Sequence, residues 1–176
     1  MSGHNKWSKI KHKKAATDAA KSKIFAKLVK LIQVEAKACG GDINSPGLKL
    51  AIEKARKANM PKDNIERAIK KASEAGETKA VVYEAYGPAG VGMIITGLTD
   101  NTNRTSAEIK HILSKHGGSL GSPGSVLWNF EQDAERNWVP KNRMEISDED
   151  GEKLAKLIEA IEENDDIQDI YTTVDE

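Results

Sequence analysis

The sequence predicts an α+β protein: a small N-terminal helical bundle followed by a two-layer α+β domain with a mainly antiparallel sheet. Three observations carry that expectation. Apolar residues recur at helical spacing through residues 24–72, and after "EAGETK" (74–79) the pattern turns to β-type runs. The sign of the charge changes at the same place. Residues 1–76 hold 18 Lys/Arg and 7 Asp/Glu, whereas residues 77–176 hold 9 and 20. The expected domains are therefore 1–76, a basic arm plus helical bundle, and 77–176, an acidic α+β domain.

In the first half, Ile24, Leu28, Leu31 and Ile32 recur at i, i+4, i+7 and i+8, with Phe25 and Val29 widening the stripe. Thr17 or Asp18 is placed to cap this helix, and Gly40-Gly41 to end it. A second helix opens at Ser45-Pro46, with Ser as N-cap and Pro in the first helical position. Its apolar face is Leu48, Ala51, Ile52 and Ala55. Pro61 marks a third start, and Ile65, Ala68, Ile69 and Ala72 repeat the period. Narrow, Ala-rich stripes suit the core of a closely packed bundle.

In the second half, "AVVYEAY" (80–86) and "VGMIITGLT" (91–99) flank a Pro/Gly connector and read as a hairpin. A helix follows near 103–116, with Thr105 and Glu108 at capping-box spacing and Ile109, Ile112 and Leu113 turned inward. After the Gly-rich "HGGSLGSPGS" come a short strand, 126–130, and an extended segment, 138–146, in which Pro140 indicates an edge. A helix at about 148–163 buries Leu154, Leu157, Ile158 and Ile161, and a strand at 167–174 closes the order.

The composition excludes several classes. The single cysteine, Cys39, permits neither an internal disulfide nor a Cys-rich zinc site. No apolar run approaches the roughly 20 residues of a membrane span, and the basic N-terminus lacks the apolar segment of a secretory signal, so a cytoplasmic protein without membrane contact is expected. His111 and His116 sit five apart, on different faces of a helix, so no metal is expected. There is no nucleophile elbow, zinc-protease motif or phosphate loop, so no catalytic residues, cofactor or small-molecule substrate are expected. A hydrolase using Asp63 and Asp100 would need a nucleophile–base pair that the sequence does not supply. The acidic stretch from Asp148 to Asp166 reads as a solvated face. Both Gly-rich loops read as turns, the second with amides that could face a nucleic-acid backbone.

The basic half carries the positive evidence. Lys6, Lys9, Lys11, Lys13 and Lys14, continued by Lys21, Lys23, Lys27 and Lys30, form a dense cationic strip. Each lysine that neutralises a phosphate releases counterions, so such a strip binds nucleic acid with steep salt dependence. Trp7 either stacks on an unpaired base or staples the arm to the bundle. Lysine instead of arginine favours backbone contact over bidentate reading of guanine. Few arginines stand at helix N-termini and no dimer signature is present, which argues for a monomer and against a reader of duplex DNA. An adaptor whose two halves attract each other is the remaining alternative.

Six blocks, "GHNKWSKIKHKKAATDAAKSKIF", "NMPKDNIERAIKKAS", "YEAYGPAGVGMII", "TDNTNRTSAEIK", "GGSLGSPGSVLWNF" and "WVPKNRMEISDED", resemble the YebC/PmpR family in order and over nearly the whole chain. The resemblance implies a non-enzymatic regulator of gene expression. The family is labelled as DNA-binding transcriptional regulators. It also has a ribosome-associated role, shared with the mitochondrial translational activator of cytochrome oxidase, in making proline-rich nascent chains. By position, the resemblance adds Lys62, Asn64 and Arg67 of "NMPKDNIERAI" and Asn101, Asn103 and Arg104 of "TDNTNRT" to the arm residues Lys6, Trp7, Lys9, Lys11, Lys13 and Lys14. Arg104 falls in a first helical turn, where the dipole disfavours a cation, so it is a candidate for contact with a partner. This sequence departs from the family's pattern at several places: Asn5 stands where Ser is usual and "AAKSK" where "AKRGK"-like text is common. Gly47 stands where a basic residue is common, and only "EQDAERN" joins the strands between which relatives insert a third domain.

Overall fold

The computed structural model describes residues 18–175, which form two compact units meeting in sequence at Lys79/Ala80. The first is helical: α1 (Asp18–Cys39), α2 (Pro46–Lys57) and α3 (Lys62–Lys70), followed by a short 3-10 turn at Ala72–Glu74. Leu28, Ile32 and Ala36, one turn apart on α1, are buried against Leu48, Ala51, Ile52 and Ala55 of α2 and Ile65 and Ala68 of α3. The alanines let helices approach closely, and each fully buried Leu or Ile contributes about 1.5–3 kcal/mol. Ile24, expected in this stripe, is 38% exposed, while the adjacent Phe25 packs against the core. Gly40 and Gly41 both adopt left-handed backbone and end α1, with Gly41 N donating to Ala36 O at 2.8 Å. Ser45 occupies the N-cap position of α2, but its side chain makes no capping bond; Pro46 simply leaves one fewer amide to satisfy. Cys39 is a free thiol, partly buried.

The second unit is a four-stranded sheet in the order β3-β1-β2-β6, built from β1 (Lys79–Tyr86), β2 (Gly92–Thr99), β3 (Ser119–Leu120) and β6 (Ile167–Thr172). Strands β1 with β3, and β2 with β6, pair antiparallel. Helices α4 (Thr102–Lys115) and α5 (Asp148–Glu162) pack on one face through Ile109, Leu113, Leu154, Leu157 and Ile161, opposite Met93 and Ile95. The alternate residue Ile94 points the other way, into a small core with Val126 and Phe130. A hairpin of β4 (Phe130–Gln132) and β5 (Trp138–Pro140) carries that second core. The fold is α+β, as the sequence predicts.

Two local expectations are corrected. The helix start lies at Asn101, whose Oδ1 accepts from Arg104 N at 3.1 Å; Thr105 is inside the first turn and fully buried, so it is a core hydroxyl and not a cap. Residues 126–130 are not a strand. Leu127–Asn129 form a 3-10 turn and only Phe130 enters β4, because Glu84 takes the amides of Val126 and Leu127 out of any ladder.

Candidate nucleic-acid interface

The two units supply different parts of the expected set. Lys6, Trp7, Lys9, Lys11, Lys13 and Lys14 lie outside the described residues. On α1, Lys23, Lys27 and Lys30 stand at i, i+4 and i+7, a row opposite the buried Leu28, Ile32 and Ala36; Lys21, exposed, falls off that row. On α3, Asn64 and Arg67 stand at i and i+3 beside the buried Ile65 and Ala68, and the exposed Lys71 follows as the C-cap. Lys62 is turned away from them and pairs with Glu66 at 3.6 Å. The sharp turn into α3 runs through Asn59 in left-handed backbone, a conformation asparagine tolerates, and through the buried Met60, whose amide donates to Ala55 O.

Around "TDNTNRT" the geometry is different. Arg104 Nη2 donates to Asp166 Oδ2 at 2.9 Å, to Asp100 Oδ1 at 3.1 Å and to Thr99 Oγ1 at 3.3 Å, and Nε lies 3.8 Å from Glu108 Oε1. The hydrogen bond to Asp166, then its charge, hold the guanidinium still more firmly protonated than usual. Thr105 Oγ1 donates to the same Asp166 Oδ2 at 2.9 Å. Asp166 is buried at 8% exposure, and its carbonyl accepts from Leu98 N at 2.7 Å. Where the sequence makes Arg104 a candidate for a partner's contact, its guanidinium meets carboxylates of this chain. Asn101 caps α4, and Asn103 is exposed. Asp166 is not part of a solvated acidic face; it joins β2, α4 and β6 at one corner. Its signal in the sequence was its position immediately before the apolar start of β6.

The second Gly-rich loop also finds its partner within the chain. Glu84 accepts from the amides of Gly124 (2.8 Å), Val126 (3.0 Å) and Leu127 (2.7 Å). Burial alone would raise this carboxyl, but the three amides outweigh it and lower its pKa below the ordinary glutamate value. Those amides are therefore occupied by the chain itself. In the sequence Glu84 is legible only as a polar residue sharing a strand face with Val82 and Tyr86.

Among the described residues, no group of three His, Cys, Asp or Glu is arranged to hold a metal ion. None of their helices is long and apolar enough to cross a membrane.

Comparison with known proteins agrees with this anatomy. Residues 5–75 match the TACO1/YebC protein N-terminal domain, and residues 78–136 and 131–174 match the TACO1/YebC second and third domain. The two latter matches meet at the turn between β4 and β5. A "Probable transcriptional regulatory protein" of Thermosipho melanesiensis is 39% identical, spanning 99% of this chain and 94% of the relative. Another so named, from Thermoanaerobacter pseudethanolicus, is 39% identical over 99% of this chain and 97% of its own. The Thermosipho alignment runs over 237 positions against 176 residues here, so at least 61 of its positions have no counterpart in this chain. The crystal structure of a conserved hypothetical protein from Aquifex aeolicus superposes with a TM-score of 0.76 at 31% identity, covering 90% of this chain and 91% of that one. With family models matching from residue 5 to residue 174 and relatives 39% identical along its length, the chain belongs to the TACO1/YebC family.

Proposed function

We propose that this protein is a non-enzymatic, nucleic-acid-binding regulator of gene expression. In this reading it associates with the ribosome through rRNA and assists synthesis of proline-rich nascent chains. The observation that carries the reading is the segregation of charge, 18 basic and 7 acidic residues before position 77 against 9 and 20 after it. A cationic half seeks a polyanion. In the same half, the exposed Arg67 and Lys71 are groups suited to backbone contact. In the second unit, Asn103 and the exposed edge of Arg104 remain available, while Asp166 fixes the guanidinium in place.

A second reading, duplex-DNA binding in transcription, is favoured by the printed name of the relatives, "Probable transcriptional regulatory protein". Sedimentation with ribosomes through a sucrose cushion, at two salt concentrations and with duplex DNA as competitor, separates the two. Co-pelleting that survives DNA and is lost when Lys9, Lys11, Lys13 and Lys14 become Glu supports the translational role. Stripping of the protein from ribosomes by DNA supports the transcriptional one.

A further inference from the structure

The second unit presents an aromatic side chain that none of its cores uses. Trp128 is 65% exposed, yet its Nε1 donates to Ser125 O at 2.8 Å, so the ring's edge is tied down while its face meets solvent. The same carbonyl accepts from Tyr86 Oη at 3.2 Å. The segment that carries the indole is held at both ends. Glu84 grips the amides of Gly124, Val126 and Leu127, and Asn129 is stitched to the opposite strand. There, Lys141 N donates to Asn129 O at 2.6 Å, Asn142 N donates to Asn129 Oδ1 at 2.9 Å, and Asn129 Nδ2 donates to Asn142 O at 3.0 Å. An indole so fixed loses little further entropy when something lies against it, which is how preorganisation raises affinity.

The hairpin carries charges of both signs, with exposed Glu131 on β4 and Arg136 in the turn. Pairing of Phe130 with Pro140 brings Lys141 and Arg143 to the Trp128 end, while Asp133 and Glu135 lie in the turn. Asp133 is occupied there by the amides of Glu135 and Asn137. Lys141 and Arg143 are exposed, and neither is ion-paired with a described residue. We propose that Trp128, with Lys141 and Arg143 at the same end of the hairpin, is a stacking platform for an unpaired base of single-stranded RNA. The two cations select a polyanion over a neutral proline-rich peptide, which would also pack on an indole. The inference rests on the reading that the partner is RNA, and deepens it by adding a contact from the acidic half.

The test uses the full chain labelled with fluorotryptophan, its three tryptophan resonances assigned by single Trp→Phe substitutions and followed by fluorine NMR. Oligoadenylate should perturb the Trp128 resonance, and a blunt RNA duplex should not. In anisotropy titrations Trp128→Ala should weaken oligoadenylate by about five- to a hundred-and-fifty-fold, the range for loss of one stacked base. Trp128→Phe should recover most of that loss, and duplex affinity should stay unchanged. If both RNAs bind, the arm lysines are needed, and Trp128→Ala has no effect, the platform is wrong while the proposed function stands. If neither RNA nor ribosomes bind, the proposed function itself fails and this inference with it. Perturbation of Trp128 by a proline-rich peptide or single-stranded DNA, and not by oligoadenylate, overturns the choice of RNA.

Discussion

Arg104 and Asp166, 62 residues apart in sequence, meet through a 2.9 Å hydrogen bond that joins the N-terminus of α4 to the entry of β6. The bond resolves an apparent conflict, a cation in a first helical turn, by supplying a nearly buried carboxylate shared with Thr105. It also turns a stretch that resembles a binding motif into a structural corner whose outer edge stays exposed.

Asp166→Ala should therefore destabilise the protein in urea unfolding, since the buried Thr105 hydroxyl keeps only Thr99 Oγ1 and Asn101 O as partners and the guanidinium loses its main acceptor. Asp166→Asn should cost less, because one amide oxygen still accepts. Equal losses for the two variants would show that a neutral oxygen does not replace the carboxylate as acceptor.

Glu84→Gln should destabilise by about 1–3 kcal/mol at neutral pH, because a neutral amide replaces a carboxylate that accepts three backbone bonds. The folded carboxyl titrates below its ordinary value of 4.5, so its stabilisation is present above that pH and disappears as pH falls through the depressed value. The gap between wild type and variant should accordingly close in acid. A gap unchanged between neutral pH and pH 3 would contradict this.

Backbone geometry predicts two substitutions of opposite sign. A Cβ at Gly97 would stand 2.6 Å from Asp166 O, the acceptor of the Leu98 amide, so Gly97→Ala should cost about 1–3 kcal/mol. Ala89 sits at φ 61 between Pro88 and Gly90, where a Cβ is strained, so Ala89→Gly should stabilise by about 0.5–1 kcal/mol. Thermal melts followed by circular dichroism read both.

Charge reversal of Lys9, Lys11, Lys13 and Lys14 should abolish nucleic-acid binding and leave the melting transition in place. Single Lys→Ala changes should each lower the slope of log affinity against log salt by about 0.7–0.9. Trp7→Ala should weaken RNA with unpaired bases more than duplex DNA; equal losses would assign Trp7 to anchoring.

Helical and β periodicity alone located nearly every element, because the buried face of each carries its own repeat: Leu28–Ile32–Ala36 on α1, Leu154–Leu157–Ile158–Ile161 on α5 and the runs of β1 and β2. Errors fell where a long-range partner outweighed the local pattern. Residues 126–130 look like a strand, but Glu84 claims their amides from 42 and 43 residues away. Thr105 looks like a cap, but Asn101 takes that place and Thr105 turns inward to Asp166. Charge asymmetry, the lysine strip and the family blocks were likewise legible in the chain, because each is a property of residues in order. The fixed, exposed ring of Trp128 and the shared carboxylate of Asp166 were not. Burial and hydrogen bonding depend on which distant segments meet, and only the tertiary structure decides that.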